Sequence, residues 1–127
     1  MNRLDIVKKK LRTLKSDERI VAVILFGSWA RNSQRTLSDI DICVIPAKDV
    51  SFDTLVRIMP DIDADVSYFY ELQLHLRQKV FSEGKQILVN DKAALAETKS
   101  RTALAYMDFN PVRERLIRAM LAKGGFG

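Results

Sequence analysis

Residues Ile20 to Phe26 form an unbroken apolar run, Ile-Val-Ala-Val-Ile-Leu-Phe, stopped by Gly27. Its length and β-branched content predict a strand, not a helix. A strand with no polar alternation has to be covered on both faces. Asp39 to Ile45, closed by Pro46, reads as a second strand, and Asp63 to Tyr70 as a third. The expected fold class is α/β (α+β), a small mixed β-sheet with helices packed against it.

The helices follow from apolar periodicity. Leu4, Val7, Leu11 and Leu14 recur at helical spacing, with Lys8, Lys9, Lys10, Arg12 and Lys15 mostly off that stripe. Ser51 suits an N-cap, with Val50 and Leu55 at hydrophobic-staple positions. Phe52, Leu55, Val56 and Met59 supply a buried face, and Pro60 ends that helix. Leu72, Leu76 and Val80 mark a further helix with Gly84 as its C-cap. Lys85 to Val89 reads as a short edge strand. Asp91 can cap a helix running to about Asp108. Asn110 and Pro111 suit the N-cap and first position of a last helix, with Val112, Leu116, Ile117, Met120 and Leu121 on its apolar face. The whole chain, residues 1–127, reads as one domain, with helices over about 91–123 and a frayed tail from Gly124 to Gly127.

Several function classes are disfavoured. The longest apolar run has seven residues, whereas a membrane helix needs about 20. The charged N-terminus does not resemble a signal peptide. Cys43 is the sole cysteine, so no intramolecular disulfide forms. A cytoplasmic protein is expected. Net charge is +5, with basic ends flanking an acidic centre. Solvated helix faces are the simplest account, and a surface for phosphates or an acidic partner is the alternative. Aromatic residues do not interleave with the basic ones, so a nucleic-acid platform is not indicated.

The chemistry-bearing residues fall in three places. Gly27-Ser28 closes the first strand. Glycine permits a tight turn and close approach of phosphate, and Ser28 offers a hydroxyl and an N–H at an expected helix N-terminus. Ala30 is small enough to let that helix start close to the sheet. Arg31, one turn on, can reach a phosphate oxygen. Asp39 and Asp41 alternate along the second strand and would share a face about 7 Å apart. Two such carboxylates repel, and a divalent cation relieves the repulsion; Mg²⁺ takes one or two carboxylates together with substrate phosphates. Asp63 and Asp65 also share a face, and either can join the cluster if the third strand lies beside the second. Trp29 is expected to pack rather than stack on a base, Cys43 to be a core residue, and His75 to be structural or on the surface.

Leu25-Phe26-Gly27-Ser28-Trp29-Ala30-Arg31, followed by Ser38-Asp39-Ile40-Asp41-Ile42-Cys43-Val44, resembles the DNA polymerase β-type nucleotidyltransferase signature. The short length and the Ala-Arg pair resemble the minimal nucleotidyltransferase subfamily, which includes antitoxins paired with HEPN-domain toxins. The resemblance covers about residues 20–90, including Glu83-Gly84. The Tyr106-Met107-Asp108-Phe109 stretch is also similar to small members. Asn32 departs from the glycine often found after the arginine, and asparagine tolerates a left-handed backbone.

The resemblance implies a polymerase β-like fold and transfer of a nucleoside monophosphate, AMP from ATP, to a hydroxyl. It implies triphosphate binding by Ser28, beside Gly27 and Arg31 whose chemistry reads as nucleotide-binding, and two Mg²⁺ ions held by Asp39, Asp41 and Asp65. Asp65 is then also the group serving the acceptor hydroxyl, with Asp63 the alternative. A tyrosine of a HEPN-type toxin is the implied acceptor; self-association stays open. Two rival readings are an antitoxin that neutralises its partner by contact alone and a nucleotidyltransferase acting on a small molecule.

Overall fold

The computed structural model describes residues 1–35 and 37–108, and beyond those 115, 118, 119, 121 and 122. Helix α1 (Arg3–Leu11) starts at Asn2, whose side chain accepts from the Asp5 N–H while Asp5 reaches back to the Asn2 N–H, a reciprocal cap. A 3₁₀ turn (Arg12–Leu14) leads to strand β1 (Ile20–Phe26), whose ends coincide with the apolar run. Then follow β2 (Asp41–Pro46), α2 (Phe52–Ile58), β3 (Asp65–Tyr68), a 3₁₀ turn (Phe69–Glu71), α3 (Leu74–Glu83), β4 (Lys85–Val89) and α4 (Lys92–Asp108).

The sheet order is β3-β2-β1-β4. β1 runs antiparallel to both its neighbours, and β2 and β3 are parallel, joined through α2. β1 is therefore central and has both faces covered. Val23 and Leu25 join Val7, Leu11 and Leu14 of the N-terminal segment, with Leu55 of α2. Ala22 and Ile24 turn to the other face, where Phe69, Val80 of α3 and Leu95 of α4 complete a second core. Burying each such large aliphatic side chain stabilises the fold by roughly 1.5–3 kcal/mol.

Several element ends differ from the sequence expectation. β3 stops at Tyr68, and α3 starts at Leu74 rather than near Leu72. The 3₁₀ turn between them is held by Arg77, which donates to the carbonyls of Phe69, Tyr70 and Leu72. Leu55 is buried as expected, but Phe52 and Val56 are about half exposed, and Ile58 and Met59 pack on the core instead. Ser51 caps α2 by accepting from the Thr54 N–H, and Asp91 accepts from the Ala94 N–H at the start of α4. Gly84 caps α3 in extended rather than left-handed backbone. A Cβ there would overlap the Val80 carbonyl and the Ile24 side chain, so glycine lets the end of α3 sit against β1.

Asn110, Pro111, Val112, Leu116, Ile117, Met120 and the Gly124–Gly127 tail lie outside the described residues. Leu121 is exposed. Among the described residues no helix is long and apolar enough to cross a membrane.

Candidate active site where three strand ends meet

Because β1 is antiparallel to β2, and β3 parallel to β2, the end of β1 meets the starts of the other two. Phe26 pairs with Asp41, and Asp41 pairs with Asp65, in one row across three strands. Directly paired residues on adjacent strands share a face about 4.8 Å apart, so Asp41 and Asp65 stand side by side. Gly27 comes next, with φ +72°. A Cβ at Gly27 would overlap Asp41 Oδ2. Glycine thus serves two needs here, the left-handed backbone and the close approach of a carboxylate.

The segment after Gly27 corrects one expectation: it is a turn, not the first turn of a helix. The N–H groups of Ala30 and Arg31 both donate to the Gly27 carbonyl, at 3.1 and 3.2 Å, and the Ser33 N–H closes on the Ser28 carbonyl at 2.9 Å. Asn32 takes φ +55°, the left-handed conformation expected of it, and that reversal stops helix propagation. Ala30 is buried against the sheet. Ser28 therefore sits in a tight turn, without a helix dipole behind it.

Asp39 is the second correction. The strand begins at Asp41, so the alternation argument does not place Asp39; it is exposed and lies in the loop before β2. That loop is held by contacts from outside the strand pair. Ile40 is fully buried and its carbonyl accepts the Asp65 N–H at 2.8 Å. The Ser38 carbonyl accepts from Arg3 Nη1 at 2.9 Å and from Trp29 Nε1 at 3.1 Å. Asp39 is nonetheless close enough to act on Asp41. The Asp41 carboxyl is pushed up from its ordinary value, first by partial burial, then by the charge of Asp65, then by that of Asp39, with Arg31 opposing. The third strand also begins later than expected, at Asp65. Asp63 lies ahead of it, with its side chain 91% exposed and 3.9 Å from Arg3 Nε. The geometry brings Asp65, not Asp63, to Asp41.

Arg31 makes an ion pair with Glu83 at the end of α3, Nη1 to Oε2 2.9 Å. Trp29 packs on the apolar core with the Arg3 guanidinium 5.8 Å from its ring centre. Cys43 is fully buried and its thiol is pushed up to about 12 by desolvation. His75 is exposed on α3. Three participants were not singled out in the sequence: Arg3 was given no role, and Ser38 and Glu83 entered only within the stretches that resemble the family. Ion pairs and carbonyl contacts between distant segments leave no periodic trace.

The site suits a hard divalent cation in its donor chemistry. The donors are all carboxylates, and the Asp41 carboxyl is raised first by partial burial and then by the charges of Asp65 and Asp39, both of which a bound cation would offset. Among the described residues, no three metal-ligating side chains converge as placed. Mg²⁺ does not require that, since it commonly takes one or two carboxylates and completes its shell with water and substrate phosphates. The residues present fit such an ion.

Known proteins share this fold. The family described as polymerase beta, nucleotidyltransferase, matches residues 8–93, which span every element from the second half of α1 to β4. A Methanocaldococcus jannaschii protein, provisionally named a protein adenylyltransferase, is 26% identical over 110 residues, covering 78% of this chain and 87% of that one. Among solved structures, a toxin–antitoxin crystal structure with AMP-PNP superposes with TM-score 0.64 at 24% identity, covering 95% of this chain and 99% of the matched chain. A complex of a tri-AMPylated Shewanella oneidensis HEPN toxin with its MNT antitoxin gives TM-score 0.60 at 22% identity, covering 92% and 98%. With the matched family spanning more than half the chain, from the Gly27-Ser28 turn to the row of carboxylates, this protein belongs to the polymerase β nucleotidyltransferase family.

Proposed function

We propose that the chain transfers AMP from ATP to a hydroxyl on a partner protein, a tyrosine of a HEPN-type toxin, and so acts as the antitoxin of the pair. The observation that carries this reading is the row Phe26–Asp41–Asp65 with the Gly27-Ser28 turn at its end. Asp41, Asp65 and Asp39 would hold Mg²⁺, which when bound neutralises the triphosphate and stabilises charge on the entering and leaving oxygens. Gly27 and Ser28 give the β- and γ-phosphates a close, polar surface, and the Arg31 guanidinium supplies a charged donor. Asp65, at the start of its strand, accepts the proton of the acceptor hydroxyl. The hydroxyl oxygen bonds to the α-phosphorus, the bond between that phosphorus and the β-bridging oxygen breaks, and pyrophosphate leaves past Ser28 and Arg31. Most of the acceleration then comes from positioning and electrostatics, as in phosphoryl transfer generally.

The choice of acceptor is supported by the relatives. One is provisionally named a protein adenylyltransferase, and two structural neighbours are toxin–antitoxin complexes, one with an AMPylated toxin. AMP added near a nuclease centre brings bulk and negative charge that would repel RNA phosphates. A buried, unpaired thiol and use of ATP both fit a cytoplasmic protein. Co-expression with a HEPN-type partner and intact mass measurement test the proposal. An AMP-sized mass increase that is lost with Asp41→Ala supports it. A partner that binds and stays unmodified with MgATP favours neutralisation by contact alone, and labelling of a small molecule instead rejects it.

A further inference from the structure

We infer that Arg3 and Trp29 are positioning residues for Asp39, acting through the Ser38 carbonyl. The inference rests on the nucleotidyltransferase reading of the site. Asp39 lies outside the β2 ladder, so no strand pairing orients it. Its backbone is instead held on both sides. On the far side, the buried Ile40 carbonyl takes the Asp65 N–H. On the near side, the Ser38 carbonyl takes two donors at once, Arg3 Nη1 and Trp29 Nε1. That carbonyl belongs to the peptide unit leading into Asp39. Because the peptide is planar, holding the carbonyl also fixes the N–H of Asp39. Ser38 itself is tied down further: its hydroxyl accepts the Arg35 N–H at 2.7 Å and its own N–H donates to the Arg35 carbonyl at 3.0 Å.

The two donors are themselves anchored. Arg3 rides on α1, which is fastened to the core by Val7 and Leu11, and its guanidinium lies near both Trp29 and Asp63. Trp29 is set by the turn that begins at Gly27, so one side chain links the Gly27-Ser28 turn to the Asp39 loop. Asp63 then has a place in the site's surroundings, as an anionic neighbour of Arg3. Arg3 lies ahead of residues 8–93, the stretch that matches the family. Groups that orient a metal-binding carboxylate typically change metal affinity when removed, by roughly 10- to 100-fold.

The test uses the full chain with Arg3→Gln, Trp29→Phe and the double variant. Trp29→Phe keeps an aromatic ring and removes the N–H. The readouts are melting temperature, the Mg²⁺ concentration giving half-maximal ATP binding by calorimetry, and transfer at saturating Mg²⁺. Trp29 is the only tryptophan, so its fluorescence reports the same loop in wild type and in Arg3→Gln. The expected result is that the half-saturating Mg²⁺ rises roughly tenfold in the double variant. Transfer at saturating Mg²⁺ is retained, the melting temperature is little changed, and Arg3→Lys recovers part of the loss. A folded double variant with wild-type Mg²⁺ dependence overturns the inference while the function stands. A wild-type chain that binds no MgATP overturns both.

Discussion

Asp41 and Asp65 face each other as register partners at the first positions of the parallel strands β2 and β3, while Asp63, two residues earlier, projects into solvent beside Arg3. That asymmetry separates Asp65 from Asp63, the two carboxylates that the sequence offers as alternatives beside Asp41. Asp65→Asn is expected to keep MgATP binding and to lower transfer roughly 10²- to 10⁴-fold, the usual worth of a positioned proton acceptor. Asp63→Asn should leave transfer near wild type. Asp41→Ala should abolish metal-dependent binding as well as transfer. Calorimetry and transfer assays on one preparation of each variant decide the assignment. A transfer defect in Asp63→Asn with none in Asp65→Asn would reverse it.

How much of this was readable beforehand depends on the range of the interaction. β1 was legible to the residue, because a buried strand needs a continuous apolar run and Ile20–Phe26 is bounded by Gly27. The tight turn at Gly27 followed from that boundary, whereas the helix expected after it is a turn. Asp39 was misplaced because alternation presumes a strand, and the strand starts only where β1 ends opposite it. The choice between Asp63 and Asp65 needed the β2–β3 register, which apolar spacing does not encode. Arg31 and Glu83 are 52 residues apart, and Arg3 and Ser38 are 35 apart. Those contacts exist only once the sheet has assembled.

The ion pair between Arg31 and Glu83 gives a second prediction. Arg31 is 45% exposed and Glu83 28%, so the pair itself adds at most about 1 kcal/mol to stability. Arg31→Ala should therefore fold normally, yet weaken MgATP binding roughly tenfold or more, the cost of losing a hydrogen bond between charged groups. Glu83→Gln releases the guanidinium from a competing carboxylate and should not weaken binding. In the double variant the effect of Glu83→Gln should vanish, since it acts only through Arg31. A loss of MgATP affinity in Glu83→Gln equal to that in Arg31→Ala would contradict this division.

The Asp41 carboxyl supplies a pH dependence with a definite sign. Its proton is held more tightly in the folded chain than in the unfolded one, through partial burial and the charges of Asp65 and Asp39. A raised folded-state value means that the stabilising contribution is fully present below the ordinary value of 3.8 and is lost as pH rises through the folded value. Metal-free Asp41→Asn carries no such loss. It should melt at a higher temperature than wild type at neutral pH, and the gap should shrink as the pH falls towards 3.8. Added Mg²⁺ should raise the melting temperature of wild type and leave the variant unmoved. Melting curves across this range, with and without Mg²⁺, check both halves. A metal-free variant that melts lower than wild type at neutral pH would mean that the crowding of carboxylates costs the fold nothing.

The closest demand the site makes on the backbone is at Gly27. Alanine there meets two independent obstacles. The left-handed conformation at φ +72° disfavours any Cβ by about 1–2 kcal/mol, and this particular Cβ would overlap Asp41 Oδ2. The backbone term alone would only lower stability. The overlap displaces the carboxylate, so Gly27→Ala should lose MgATP binding even in the fraction that remains folded. Asn32 provides the control, because it lies in the same turn with φ +55°. Asn32→Gly relieves a left-handed residue without placing any atom near Asp41, and it should retain both binding and transfer. Comparing the two variants separates strain in the turn from displacement of the carboxylate. If Gly27→Ala is folded and binds MgATP as wild type does, the contact between this glycine and Asp41 is not part of how the site holds its nucleotide.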